Sequence, residues 1–240
     1  MKVEQQLEDF LKKYGSEYSK IAREYIEENF FTHLIYGFLP DVLAQVYAEF
    51  GILDKDRNLY QAFLDIIKQK HSLEKDIVEI GGGYLPILGE YIAKEQLKLG
   101  KGTITVYDPI LVTTNSKYPN LKLVKEPFTM DTKLPGCDLL LGQMLCGATE
   151  LTIQKACQEQ IDFMIALCGC THFSESDLFR NPYLAASPDR YHQYVYQQAC
   201  ELSKLKHMGE VAVEYYDEAT MCPYPIFYNE RNCKTKNKSK

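Results

Sequence analysis

Tryptophan is absent from this 240-residue chain, and no two of its eight cysteines are spaced Cys-x-x-Cys. No secretory leader is expected, since residues 1–15 are charged and amphipathic, and no apolar run approaches the roughly 20 residues that a membrane-spanning helix needs. Basic residues are in deficit: 27 Lys and Arg stand against 33 Asp and Glu, a net charge of −6. That balance argues against tight nonspecific binding of nucleic acid by the whole surface, because phosphate contacts need clustered cations. A local basic patch, and with it a nucleic-acid partner, stays open. The absences together predict a cytoplasmic protein with reduced thiols and no membrane partner. Internal repeats are missing too, and the one biased segment is the lysine-rich tail, residues 234–240, expected to be disordered.

What is present is a chain long enough to bury a substantial core, with its strongest local signal at residues 76–91, Asp-Ile-Val-Glu-Ile-Gly-Gly-Gly-Tyr-Leu-Pro-Ile-Leu-Gly-Glu-Tyr. Residues 76–80 read as a short buried strand that runs into Gly81, Gly82 and Gly83, and Pro86 stands where a helix begins. Glycines let a backbone turn sharply and lie against a ligand, and a helix start offers unpaired N–H groups. Glu79, ending the strand, faces the same ligand on this reading. A second strand, residues 103–107, ends on Asp108, one βα unit later, where a carboxylate accepts hydrogen bonds from two ribose hydroxyls.

Around this unit the pattern divides the chain. Residues 1–72 read as an N-terminal helical cap, with apolar faces such as Val3, Leu7, Phe10 and Leu11, and a last helix that carries Leu59, Phe63, Ile66 and Ile67. Residues 73–233 alternate strands with helices. Strands are expected at 76–80, 103–107, 121–124, 138–143 and 162–168, and helices at 86–99, 151–158 and 189–206. Two closing strands, 210–216 and 226–229, are joined by a Pro-containing loop without a helix. The expectation is an α/β fold: a Rossmann-like, seven-stranded, mostly parallel sheet with an antiparallel C-terminal strand pair, capped by the N-terminal helices.

The glycine pattern separates two cofactor classes. A dinucleotide fingerprint counted from Gly81 needs glycine at 86, where Pro86 stands. Glu-Ile-Gly-Gly-Gly instead resembles the first motif of class I S-adenosylmethionine-dependent methyltransferases, whose sheet also ends in an antiparallel pair. The resemblance implies S-adenosylmethionine as cofactor. It implies that Glu79, Gly81, Gly82 and Gly83 hold the methionine part, with Tyr84 beside them at the cofactor, and that Asp108, with Pro109 beside it, holds the ribose. Asp131 would lie near the adenine amino group, and Gln143 and Met144 would face the transferable methyl from the end of the fourth strand. Residues 143–150 and 165–172 further resemble a group of these enzymes with a Cys-Gly-x-Ala-Thr-Asp turn, a group that includes tRNA ribose methyltransferases. Here Cys146, Gly147, Ala148 and Thr149 match with one residue missing, Glu150 replaces the Asp, and Cys168, Cys170 and His172 are spaced differently.

His172 falls in the loop beyond the fifth strand and is the candidate to take a proton from an attacking hydroxyl or amine. Tyr183, Arg190 and Tyr191 are candidates to line the acceptor site, and the spacing of Tyr191 equally suits helix packing. Cys168, Cys170 and His172 offer three ligands where structural zinc takes four at wider spacing, so no metal is expected. Asn181-Pro182-Tyr183 looks like the Asn-Pro-Pro-Tyr motif of amino-group methyltransferases, but that motif follows the fourth strand. The reading is methyl transfer to an unidentified small or medium-sized acceptor. A catalytically silent binding protein of the same fold and an NAD(P)-dependent oxidoreductase are the alternatives.

Overall fold

A computed structural model of the chain describes residues 59–83, 86–111, 114–168, 188–217 and 222–229. Helix α1 (Leu59–Lys70) buries Phe63, Leu64, Ile66 and Ile67 along one face, and Lys68 and Lys70 lie in its last turn, where the helix dipole favours cations. Strand β1 (Ile77–Ile80) is buried throughout and leads through the glycine turn into α2 (Ile87–Leu99). Pro86 is the N-cap of α2, and Gly100 ends the helix in the left-handed conformation, its N–H turned back on the last carbonyls. Then come β2 (Ile104–Tyr107), β3 (Leu121–Val124) and β4 (Leu139–Gln143). A 3-10 turn at Cys146–Ala148 leads into α3 (Thr149–Glu159). β5 (Asp162–Ala166), α4 (Pro188–Leu205), β6 (Val211–Tyr215) and β7 (Pro225–Asn229) complete the described order.

The strands form one seven-stranded sheet in the order β3-β2-β1-β4-β5-β7-β6. The first five run parallel, while β7 pairs antiparallel with both β5 and β6. This is the Rossmann-like sheet with an antiparallel C-terminal pair that the sequence predicts. It has three layers: α1 and α2 share one apolar cluster with one face of the sheet, and α3 and α4 share another with the opposite face. The α3 helix starts two residues before the expected 151, because the 3-10 turn delivers the chain directly into it, and Ala148 at its N-cap makes no side-chain cap bond. Strand β5 ends at Ala166, two residues short of the expected 168. Of the expected cap, only α1 belongs to the described residues.

Strand order reverses at β1, which pairs in parallel with β2 on one side and β4 on the other. In an open parallel sheet such a reversal leaves a crevice beyond the carboxyl ends of the strands, and ligands bind there.

The amino ends are closed by side-chain hydrogen bonds. Gln96 on α2, fully buried, donates to the carbonyls of Leu73 at 3.1 Å and Lys75 at 3.0 Å. Asp162 binds Lys75 Nζ at 3.2 Å and accepts from Asn229 Nδ2 at 3.0 Å. Asn229 in turn accepts from the Phe163 N–H at 2.7 Å and donates to the Met208 carbonyl at 3.1 Å.

Candidate functional site

At the end of β1 the chain makes a turn that each of the three glycines permits for its own reason. Gly81 and Gly83 have φ of +74° and +70°, a region that costs a residue with a side chain strain. Gly82 lies so close against β2 that an added Cβ would stand 2.4 Å from Val106 Cγ1. The first N–H of the turn, on Gly81, donates to the Tyr107 carbonyl at 2.9 Å, so the turn stays attached to the end of β2.

That attachment brings the turn to Asp108. The Asp108 carboxylate accepts from the Gly83 N–H through Oδ2 at 2.8 Å and from the Ile110 N–H through Oδ1 at 2.9 Å. One backbone donor on each oxygen fixes the plane of the carboxylate and leaves further acceptor capacity on both atoms. The residue is 7% exposed, at the edge of the crevice. Pro109 and Ile110 follow on the surface, and Ile110 is 46% exposed, an uncovered apolar side chain directly beside the acid. Composition and periodicity give Ile110 no prominence; its signal is position, two residues after the carboxylate.

Glu79 lies on the sheet face covered by α2. It is buried, and its Oε2 stands 2.9 Å from where a Cβ on Gly89 would be, so the glycine in the first turn of α2 lets the helix pass over the carboxylate. Asp131 is exposed on the connection between β3 and β4, next to Met130, whose carbonyl accepts from Lys155 Nζ at 2.7 Å.

Gln143 and Met144 end β4. Met144 holds φ of +56° without being glycine, a strained backbone at a strand end that faces the crevice, while its N–H still donates to the Ala166 carbonyl at 2.8 Å. Gln143 is buried, and its Nε2 donates to the Leu59 carbonyl at 3.1 Å and to the Tyr216 hydroxyl at 2.9 Å. Its Oε1 is buried with no hydrogen-bond partner. Tyr216, just past β6, is a site neighbour that the sequence reading passed over. Strand alternation is its signal: Ala212, Glu214 and Tyr216 share the face that α1 covers. Burial pushes the Tyr216 phenol well above its ordinary pKa, the effect of Cys222 adding to it, so the hydroxyl stays protonated.

Arg190 is exposed at the start of α4, whereas Tyr191 is buried in the apolar cluster between α4 and the sheet. His192 beside it lies within 2.9 Å of the Cys168 carbonyl through Nε2 and meets Tyr224 edge-on at 5.5 Å; burial lowers its pKa. The structure therefore gathers the glycine turn, Asp108, Pro109 and Ile110 at one place. Gln143 lies one residue past the Ile80–Gly142 pair, level with the turn. Asp131 makes no hydrogen bond with these groups among the described residues. Tyr84, His172 and Tyr183 lie outside the described residues, as do Cys170, the Asn181-Pro182 pair and the tail. Among the described residues no three His, Cys, Asp or Glu side chains are grouped to hold a metal ion, and no helix is long and apolar enough to cross a membrane.

No family model matches the chain, and no curated protein matches it. Among solved structures it is similar to the CMeT domain of the citrinin polyketide synthase, at 14% identity over 83% of this chain and 59% of that one, with a TM-score of 0.45. It is similar to the DszA carbon methyltransferase at 12% identity over 90% and 66% of the two chains, with a TM-score of 0.45. The magnesium protoporphyrin IX methyltransferase ChlM from Synechocystis PCC 6803, with bound SAH, matches at 8% identity over 87% and 98%, with a TM-score of 0.42. The chain thus spans 59% of the first of these structures and 66% of the second.

Proposed function

We propose that the chain is an S-adenosylmethionine-dependent methyltransferase acting on a small or medium-sized acceptor, in a reducing, cytoplasmic setting. The observation that carries this reading is the junction of Asp108 with the glycine turn. A carboxylate clamped by the Gly83 and Ile110 N–H groups keeps an acceptor position on each oxygen, the complement of a vicinal ribose diol. The exposed Ile110 beside it, with Pro109, offers an apolar face to an adenine ring. The strand order favours this cofactor over a nicotinamide dinucleotide, because the sheet closes on an antiparallel strand where a dinucleotide fold adds another parallel βαβ unit.

The residues fit the cofactor, since the buried Oε1 of Gln143 lacks a donor at the level of the glycine turn. Glu79, Gly81, Gly82, Gly83 and Tyr84 would hold the methionine part, Asp108 the ribose, and Asp131 the adenine amino group. Gln143 and Met144 would lie beside the methyl. When bound, the cofactor supplies a methyl already activated by its sulfonium, so the protein's task is alignment and exclusion of water. His172 is placed by the sequence to accept the acceptor's proton, with Tyr183 and Arg190 as acceptor-side candidates; Tyr191, packed in the core, is set aside.

Thermal shift and calorimetry with S-adenosylhomocysteine and with NAD test the assignment. S-adenosylhomocysteine is expected to raise the melting temperature more than NAD does, and Asp108→Ala to weaken its binding by tenfold or more, on the order of the 1.5–3 kcal/mol of a charged hydrogen bond. A larger shift with NAD removes the reading, and unchanged affinity in Asp108→Ala shows that the ribose site is elsewhere.

A further inference from the structure

The Gln143 amide is held from two sides. Both protons of its Nε2 are engaged, one by the first carbonyl of α1, at Leu59, and one by the Tyr216 oxygen. A flipped amide would set Oε1 against the Leu59 carbonyl, two acceptors with no proton between them, so the orientation is determined by the partners. Two hydrogen-bonding capacities are left over on adjacent groups: the acceptor Oε1 of Gln143, buried without a partner, and the O–H proton of Tyr216, whose recorded hydrogen bond uses the oxygen as acceptor. The surroundings are apolar, with Phe63 6.4 Å from the Tyr216 ring, and Met144 and Tyr224 pack against the same cluster. In such surroundings each hydrogen bond to a charged group is stronger than in water, a gain set against the cost of desolvating the charge.

One acceptor and one donor side by side complement a group that presents one donor and one acceptor from a single carbon. We infer that Gln143 and Tyr216 form the recognition pair for the α-amino-acid end of the cofactor, Oε1 accepting from its ammonium and the phenol donating to its carboxylate. Tyr216, from the antiparallel edge of the sheet, also acts as a positioning residue by fixing the amide. The inference rests on the cofactor reading above and names the end of the molecule that Asp108 does not reach. It ties the start of α1 to ligand binding through the Leu59 carbonyl.

Calorimetry with two probes isolates this contribution. S-adenosylhomocysteine carries the amino-acid end, and 5′-methylthioadenosine has the same adenosine and sulfur without it. The unaltered protein is expected to bind S-adenosylhomocysteine more tightly. Tyr216→Phe removes the donor and frees the amide, and Gln143→Met removes the acceptor at similar volume. Each is expected to cut the S-adenosylhomocysteine affinity about tenfold while methylthioadenosine binds as before. Equal weakening of both probes marks a structural effect and overturns the inference, as does no weakening of either. If the unaltered protein binds the two probes alike, the pair is not the amino-acid site and the cofactor reading stands. Binding of neither removes both. Should Tyr216→Phe fail to fold, Gln143→Met decides the matter alone.

Discussion

His71, just past the last turn of α1, is fully buried, and neither ring nitrogen has a hydrogen-bond partner. Its ring meets Tyr228 edge-on at 6.4 Å. Burial, with Lys75 adding to it and Asp162 opposing both, lowers its pKa to about 4. The unfolded chain holds the same imidazole near 6.5, so it binds the proton more readily than the native state does. The sign follows from linkage. Above pH 6.5 both states are neutral and the stability is complete; between 6.5 and 4 the unfolded state gains protons and stability falls; below 4 no further loss comes from this group. With pKa values of about 4 and 6.5, the loss between pH 7 and pH 4.5 is about 2.5 kcal/mol, from about 1.4 kcal/mol per unit of separation. Replacing His71 with Leu removes that proton site along with two buried polar atoms. Urea unfolding at pH 7 and pH 4.5 reads the effect as a difference of differences, which cancels the carboxylates common to both proteins. His71→Leu is expected to be neutral or stabilising at pH 7 and to lose about 2.5 kcal/mol less than the parent at pH 4.5. Equal losses in the two proteins would refute the assignment of a buried neutral imidazole.

Two further expectations concern packing. Gly82→Ala drives a methyl into Val106 and should cost about 1–3 kcal/mol, and in the Gly82→Ala, Val106→Ala double variant the two costs should fail to add by about 1 kcal/mol or more. Additive denaturation free energies would show that the turn does not press on β2. Asn229→Leu strips a partner from the Phe163 N–H, the Met208 carbonyl and the Asp162 carboxylate at once, and about 3 kcal/mol or more of stability should go with them. A loss under about 1 kcal/mol, measured from urea midpoints, would rule out that network as a support of the β5–β7 pairing.

The sheet was legible because its signals are local. Buried strands carry short apolar runs, such as Leu139 to Leu141 in β4, and turn residues bound them, so element type and order follow from residues a few positions apart. Element ends are less determined: α3 starts at Thr149 behind an N-cap, Ala148, that makes no side-chain cap bond, and nothing in Cys-Gly-Ala-Thr marks the first turn. The glycine turn and Asp108 were legible as partners because one βα crossover separates them and the topology brings them to one edge. The junction of Gln143 with Tyr216 and Leu59 was not, because the partners stand 73 and 84 residues away along the chain and only the complete sheet brings them together. Tyr191 shows the converse: its place on α4 suits a substrate wall or a packed core, and the structure puts its ring in the core.

The two ends of this sheet satisfy their polar groups differently, and that difference bears on function. At the amino ends Gln96, Asp76, Asp138, Asp162 and Asn229 stitch neighbouring segments by side-chain hydrogen bonds, with Asp76 accepting from both the N–H and the hydroxyl of Thr103 and Asp138 from the Asp76 N–H. At the carboxyl ends the backbone takes positive φ at Gly81, Gly83 and Met144, a buried amide oxygen is left without a donor, and an isoleucine stands uncovered beside an acid. Strain and unfilled hydrogen-bonding capacity persist in a fold where surrounding contacts over-determine them, and they gather where a ligand completes the set. Positive φ, unpartnered buried atoms and exposed apolar side chains occur elsewhere too, at Gly102, Gln160, His71 and Leu99 among others. What sets the carboxyl edge apart is that the strained turn, the unfilled amide and the uncovered isoleucine lie at and beside the switch between β1 and β4, the place where an open parallel sheet receives its ligand.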